Sequence, residues 1–332
     1  MAAFSGVTVL VLTAVWALVT REPAAGPQTD PVASEPDSPH EVSGPVARPP
    51  STTSNPATPP ASGTITSWAY QLQRYPGGRL DALARGPYQL AVIDLARDAR
   101  TGYFTRAEID TVRRNGKRVL AYFEIGSLEH FRPEYPTIQR DAADLLANEW
   151  PDWPGEYFVR YWDTRWWERV VKPRVDQALR AGFDGAYLDT PLAYEEISLN
   201  SAGGRDRARL AAEMSSLIAR ISRYAKARRP GFLIVPQNSP ELRKQPGYTA
   251  AVDGIAMEEL FYLATDERCE EDWCAENLAH TRALRDAGKF VLAVDYAVLP
   301  ENVRAACGRY RTERFAGTVT VRALDRLTTP CD

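Results

Sequence analysis

The chain has 332 residues, 44% of them apolar, and a formal charge of −3. That is enough for one large domain and an appendage. Arg and Lys are spread along the chain rather than clustered, which argues against nucleic acid or another polyanion as partner.

Residues 1–20 form an almost unbroken apolar run, which predicts a secretory signal or an N-terminal anchor. The run is near the minimum for a bilayer span, about 17–20 residues. No Lys or Arg precedes it and Arg21 follows it, so its orientation is weakly specified. Residues 22–63 hold eleven prolines and no aromatic residue. Such a segment cannot bury a core and is expected to be a disordered linker. The expected division is a signal peptide or membrane anchor at 1–21, a linker at 22–63 and a folded domain at 64–332, in a secreted or extracytoplasmic protein possessing a possible tether through 1–20.

From residue 65 onward, β-like and helix-like segments alternate. Candidate strands are 67–73, 90–96, 119–125, 185–189, 232–238, 254–259, 290–296 and 316–322. Expected helices are 79–85, 105–115, 165–181, 205–228, 270–287 and 301–311. Thr105 with Glu108 three residues on predicts a capping box. Residues 127–163, rich in Trp, Tyr and Pro, are expected to be a loop over one end of the sheet. Eight strands alternating with helices predict an α/β fold, a single (β/α)8 TIM-type barrel with an insertion after strand 3. A doubly wound sheet is the alternative, disfavoured by the strand count and by the lack of a Gly-rich first turn.

Seven of the apolar runs end in a carboxylate or amide, including Asp94, Glu124, Asp189, Asn238, Glu258 and Asp295. In a parallel barrel these ends converge on the mouth where chemistry sits. Strand alternation turns Asp189 to the lumen with Tyr187, and Glu258 to the lumen with Ala256. Asp295 joins them if Phe290, Leu292 and Val294 pack against helices. Any one such acid has an ordinary alternative role as an N-cap. Several acids together would raise one another's pKa, as a general acid needs.

The four cysteines fit an exported protein, and the expected pairs are Cys269–Cys274 and Cys307–Cys331. The folded part has two histidines, His130 and His280, too few for a His-ligated metal or a Ser-His-Asp site. No lysine ends a strand, which disfavours Schiff-base chemistry. No cofactor or metal is expected, although an acid-only metal site is a lesser alternative. What remains is glycosidic cleavage by two carboxylates, with Tyr and Trp rings as sugar platforms. A glycan-binding barrel without catalysis is the other reading.

The ordered motifs SWAYQLQ, VIDLA, GKRVLAYFEIGSLEHFR, YFVRYWDTRWW, GFDGAYLDT, VPQNSPEL and DGIAMEELFY resemble the endo-α-1,4-polygalactosaminidase family, glycoside hydrolase family 114. The resemblance covers about residues 65–325. It implies a β/α barrel that hydrolyses α-1,4-linked galactosamine polymers, with Asp189 and Glu258 as the catalytic pair. Asp189 is expected as nucleophile and Glu258 as general acid/base, in an endo-acting, retaining enzyme. Expected substrate-binding residues are Asp94, Tyr122, Glu124, Trp162, Asp163, Asn238, Tyr262 and Asp295. An acidic mouth of this kind would attract a cationic polysaccharide.

Overall fold

The computed structural model describes residues 65–331. The N-terminal apolar run and the Pro-rich stretch lie outside the described residues. Eight strands build the inner layer: β1 (Trp68–Tyr70), β2 (Leu90–Asp94), β3 (Arg118–Glu124), β4 (Gly185–Asp189), β5 (Leu233–Pro236), β6 (Gly254–Glu258), β7 (Phe290–Tyr296) and β8 (Ala316–Thr320). Strands β1 to β5 pair in order as one parallel sheet, and β6 to β8 as a second. The sheets meet at β5 and β6, where a parallel bridge joins Gln237 to Ala256. There the Asn238 N–H donates to the Ala256 carbonyl at 2.7 Å. At the opposite edge, the Leu72 N–H, just past β1, donates to the Leu324 carbonyl, just past β8, at 2.9 Å. The result is a TIM-type β/α barrel.

Helices Asp81–Arg85, Arg106–Arg113, Lys172–Ala181, Arg207–Arg228, Asp272–Asp286 and Pro300–Glu313 form the outer layer. The Thr105–Glu108 capping box forms as its spacing predicts. The helix expected over 165–181 is interrupted by a π-turn at Trp167–Val171 and ends on Gly182, whose φ of 87° suits a residue lacking a Cβ. The insertion is not the irregular loop anticipated. Strands Ser127–Glu129, Leu146–Glu149 and Glu156–Val159 pair into a small antiparallel sheet, with 156–159 in the centre. Strands of three and four residues are too short to show a period in sequence.

The lumen is packed rather than hollow. Trp68, Tyr70, Leu90, Val92, Leu120, Tyr187, Leu292 and Val294 fill it. The Trp68 indole spans it, donating to the Ala293 carbonyl at 3.3 Å. A Cβ at Gly185 would sit 2.5 Å from the Leu233 carbonyl oxygen, and one at Gly254 2.5 Å from the Phe290 ring. These glycines let neighbouring strands close. The expected disulfides, Cys269–Cys274 and Cys307–Cys331, are both formed.

Candidate active site

Asp189 ends β4 on the lumen face and is half-buried at the mouth. The Tyr122 hydroxyl, from the neighbouring β3, donates to its Oδ2. The Thr190 N–H donates to its Oδ1 at 2.7 Å. Thr190 adopts a left-handed φ of 59°, a conformation that costs a β-branched residue on the order of 1–3 kcal/mol. Burial pushes the Asp189 carboxyl up to about 7; the Tyr122 hydroxyl opposes this, and the charges of Glu258 and Glu124 add to it.

Glu258 ends β6 on the same face, also half-buried. Hydroxyls surround it. Tyr296 donates to Oε2 at 3.0 Å and Tyr187 to Oε1 at 3.3 Å, while Tyr70 and the Gln237 amide also reach the carboxylate. Burial, then the adjacent Glu259 charge, raise its pKa. The Tyr122 and Tyr187 rings, one bonded to each acid, lie 6.0 Å apart. The Glu258 N–H donates to the Asn238 Oδ1 at 2.9 Å, so Asn238 fixes the strand end that carries Glu258. Positive φ recurs just past β4, β5 and β6, at Thr190, at Asn238 and Ser239, and at Glu259. Such strain collects where surrounding structure over-determines a site.

The other expected acids divide. Asp94 and Glu124 do point to the lumen side, but Arg132 from the insertion binds both: Nη1 to Asp94 Oδ2 at 2.9 Å, and Nη2 to Glu124 Oε1. Arg174 adds a second bond to Glu124, Nη1 to Oε2 at 2.9 Å. Burial works against ionising Glu124, yet the two guanidinium groups bring its carboxyl down to about 2. Burial pushes Asp94 up despite Arg132. These are compensated structural charges, not free acids lining a cleft.

Asp295 corrects the parity argument. Leu292, Val294 and Tyr296 fill the lumen, so Asp295 faces the helical layer. It accepts from the Tyr310 hydroxyl at 2.5 Å and from the N–H groups of Phe261 and Tyr262 at 2.9 and 3.1 Å. Tyr262 accordingly belongs to the outer core. Trp162 and Asp163 also contact other partners than the acid pair. The Arg205 guanidinium lies 4.6 Å above the Trp162 ring. Asp163 caps the helix that follows it, accepting from the Arg165 N–H at 2.8 Å.

Several residues were given no role by the sequence. Tyr187 was placed on the Asp189 face by its spacing, but not as a partner of Glu258. Glu129 and Glu156, aligned on neighbouring insertion strands, gave no signal because that segment shows no strand period. Burial, then Asp189 and Glu124, push the Glu156 carboxyl up to about 8, against the Ser127 hydroxyl and Arg132. Gln237 keeps a buried Oε1 without a partner beside Glu258. Among the described residues, no group of three or more His, Cys, Asp or Glu side chains is arranged to hold a metal ion.

The sequence profile described as glycoside-hydrolase family GH114 matches residues 47–332. An uncharacterized protein of Deinococcus radiodurans is 34% identical over 288 residues, covering 86% of this chain and 90% of the other. One from Thermotoga maritima is 33% identical over 234 residues, covering 69% and 70%. The glycoside hydrolase domain of PelA from Pseudomonas aeruginosa superposes with a TM-score of 0.62 at 19% identity, over 80% of this chain and 98% of that domain. Aspergillus fumigatus Ega3, solved as a complex with galactosamine, gives 0.62 at 18% identity, over 83% and 100%. At these identities the two structures speak for the fold.

Proposed function

The chain belongs to glycoside-hydrolase family GH114 and is a glycosidase, and from that premise we propose that it is exported and cleaves a galactosamine-containing α-1,4-linked polysaccharide through Asp189 and Glu258. The observation that carries this reading is the pair itself: two half-buried carboxyls at the ends of β4 and β6, each held by a tyrosine hydroxyl. The Glu258 charge adds to burial in raising the cost of ionising Asp189, which favours a singly protonated pair. That is the state two-carboxylate hydrolysis starts from.

The surroundings support a division of roles. The Thr190 N–H on Asp189 is a fixed donor and cannot turn to accept. Asp189 is therefore better served ionised, as the group that attacks the anomeric carbon. Glu258 is met by tyrosine hydroxyls, which donate to a carboxylate and accept from a carboxylic acid by rotating. It can give its proton to the glycosidic oxygen and take one back from water. Asp189 then forms the covalent glycosyl intermediate that water releases, giving net retention.

A cationic sugar suits the site because Asp189 and Glu258 carry excess negative charge once one proton is lost, while Arg132 and Arg174 are already committed to Glu124. Ega3, of the same fold, binds galactosamine. The orphaned Gln237 Oε1 offers an acceptor for a substrate hydroxyl or ammonium. Export is supported by the two disulfides and by the apolar run at 1–20.

Incubation with partly deacetylated α-1,4-galactosaminan, with product sizing and the anomer of the first product read by NMR, tests the reading. Asp189→Asn and Glu258→Gln should each lower kcat by at least about 10³-fold. Added azide should rescue Asp189→Asn with inverted product if Asp189 is the nucleophile. A folded protein that binds this glycan and releases nothing, or full activity in Asp189→Asn, would overturn it.

A further inference from the structure

Behind Asp189 lies a file of oxygen atoms that the mechanism above does not use. Glu156, on the central strand of the insertion, is buried, and its Oε1 lies 2.5 Å from the Ser127 Oγ. The Ser127 Oγ lies 3.0 Å from the Thr190 Oγ1. The Thr190 hydroxyl donates to the Asp189 carbonyl at 2.8 Å, and its oxygen also accepts from the Gly126 N–H at 3.0 Å. Ser127 and Thr190 are almost fully buried, so water does not complete the set.

Counting protons decides the direction of the file. A serine hydroxyl has one proton to give. If Ser127 gives it to an ionised Glu156, its contact with Thr190 has a proton only when Thr190 turns away from the Asp189 carbonyl. One of the three contacts is then lost. If Glu156 is protonated, it donates to Ser127, Ser127 donates to Thr190, and Thr190 donates to Asp189. All three contacts are satisfied at once, which a buried network requires.

We propose that Glu156 is a positioning residue that is held protonated and, through Ser127, locks the strained Thr190 and so the orientation of Asp189. This rests on the assignment of Asp189 as a reacting group. Thr190 holds Asp189 at two points: its N–H donates to the carboxylate and its hydroxyl to the main-chain carbonyl. A loosened Thr190 relaxes from φ 59° toward ordinary backbone and carries the carboxylate with it. The titratable and charged groups facing Glu156 are Asp189 from β4, Glu124 from β3, Glu129 from the paired insertion strand and Arg132 from the segment after it. Three of the four are acids, so an ionised Glu156 has little to compensate it.

Two measurements test this, the first independent of turnover. Infrared difference spectra between the wild type and Glu156→Gln at pH 6.5 should contain the carbonyl band of a protonated carboxyl, lost as pH rises through about 8. A carboxylate signal alone at pH 6.5 would overturn the proposal even if the enzyme is active. The second is kinetic. Glu156→Gln, which keeps a neutral donor, should retain kcat within about twofold, whereas Glu156→Ala and Ser127→Ala should lose about tenfold with KM little changed. The alkaline limb of log kcat should be steeper than one in the wild type and fall to one in Glu156→Gln. Identical limbs, or a Gln variant as impaired as the Ala variant, would also overturn it. A wild type with the protonated band but no turnover would refute the hydrolase reading of the pair and leave the protonated file standing.

Discussion

Replacing Arg132 by Met should be among the most damaging single changes in the barrel. The guanidinium binds Asp94, Glu124 and Glu129 together, and Asp94 and Glu124 are only 2% and 1% exposed. Without it, Asp94 keeps the Ala96 N–H at 2.9 Å, and Glu124 keeps Arg174. Removing one partner of a buried ion pair costs about 3–5 kcal/mol, because the orphaned charge stays in a poor dielectric. For a domain of this size that is roughly 6–20 °C in Tm. The pH dependence has a definite sign. Glu124 is depressed from 4.5 to about 2, so its contribution is present above pH 4.5 and is lost as pH falls through about 2. Loss of Arg132 lets that carboxyl protonate earlier. Thermal unfolding followed by circular dichroism at pH 7, 5 and 3 should therefore show a large gap between wild type and variant that narrows on acidification. A cost below about 1 kcal/mol at pH 7, or a gap unchanged between pH 5 and 3, would show that the arginine is not compensating these acids.

Glu156 is raised from 4.5 to about 8, so its stabilising contribution is complete below pH 4.5 and declines as pH rises toward 8. Glu156→Gln should thus gain on the wild type between pH 5 and 8, by up to about 3 kcal/mol at pH 7, read as urea midpoints; a pH-independent difference would refute this. Tyr296→Phe removes a donor that lowers the Glu258 pKa, and should move the pH optimum of kcat upward. Opening the Cys307–Cys331 link, which closes 24 residues, by a double change to Ser should cost about 3 kcal/mol in unfolding experiments.

Much of the barrel was legible because each strand is a short apolar run bounded by turn residues. Parity worked for β4 and β6, where Leu188, Ile255 and Met257 do face the helices. It failed for β7, whose two faces are both apolar. A strand buried on both sides gives no contrast from which to choose, and here the larger residues Leu292 and Val294 went inward. The neutralisation of Asp94 and Glu124 was invisible for another reason. Arg132 reaches Asp94 from an insertion 38 residues on, and Arg174 reaches Glu124 from a helix 50 residues on, while the Arg132–Glu124 pair, 8 residues apart, spans the turn into that insertion. Local spacing carries no record of such pairings. Tyr187 was detectable as an inward aromatic beside Asp189, whereas the parity assumed for β7 turned Tyr296 outward, and only side-chain geometry shows that both offer hydroxyls to Glu258 rather than faces to a sugar.

Asp189 and Glu258 stand on opposite sides of a joint. The five strands carrying one and the three carrying the other are stitched between β5 and β6 by the Gln237–Ala256 bridge, the backbone of Asn238 and the paired bonds between Ile234 and Asp253. The gap across which a glycosidic bond must fit is therefore not locked by an uninterrupted ladder. The spacing of the two carboxylates therefore depends on that seam, so a substitution at Gln237 or Asn238 should shift one acid relative to the other while leaving the pairing within each half of the barrel intact.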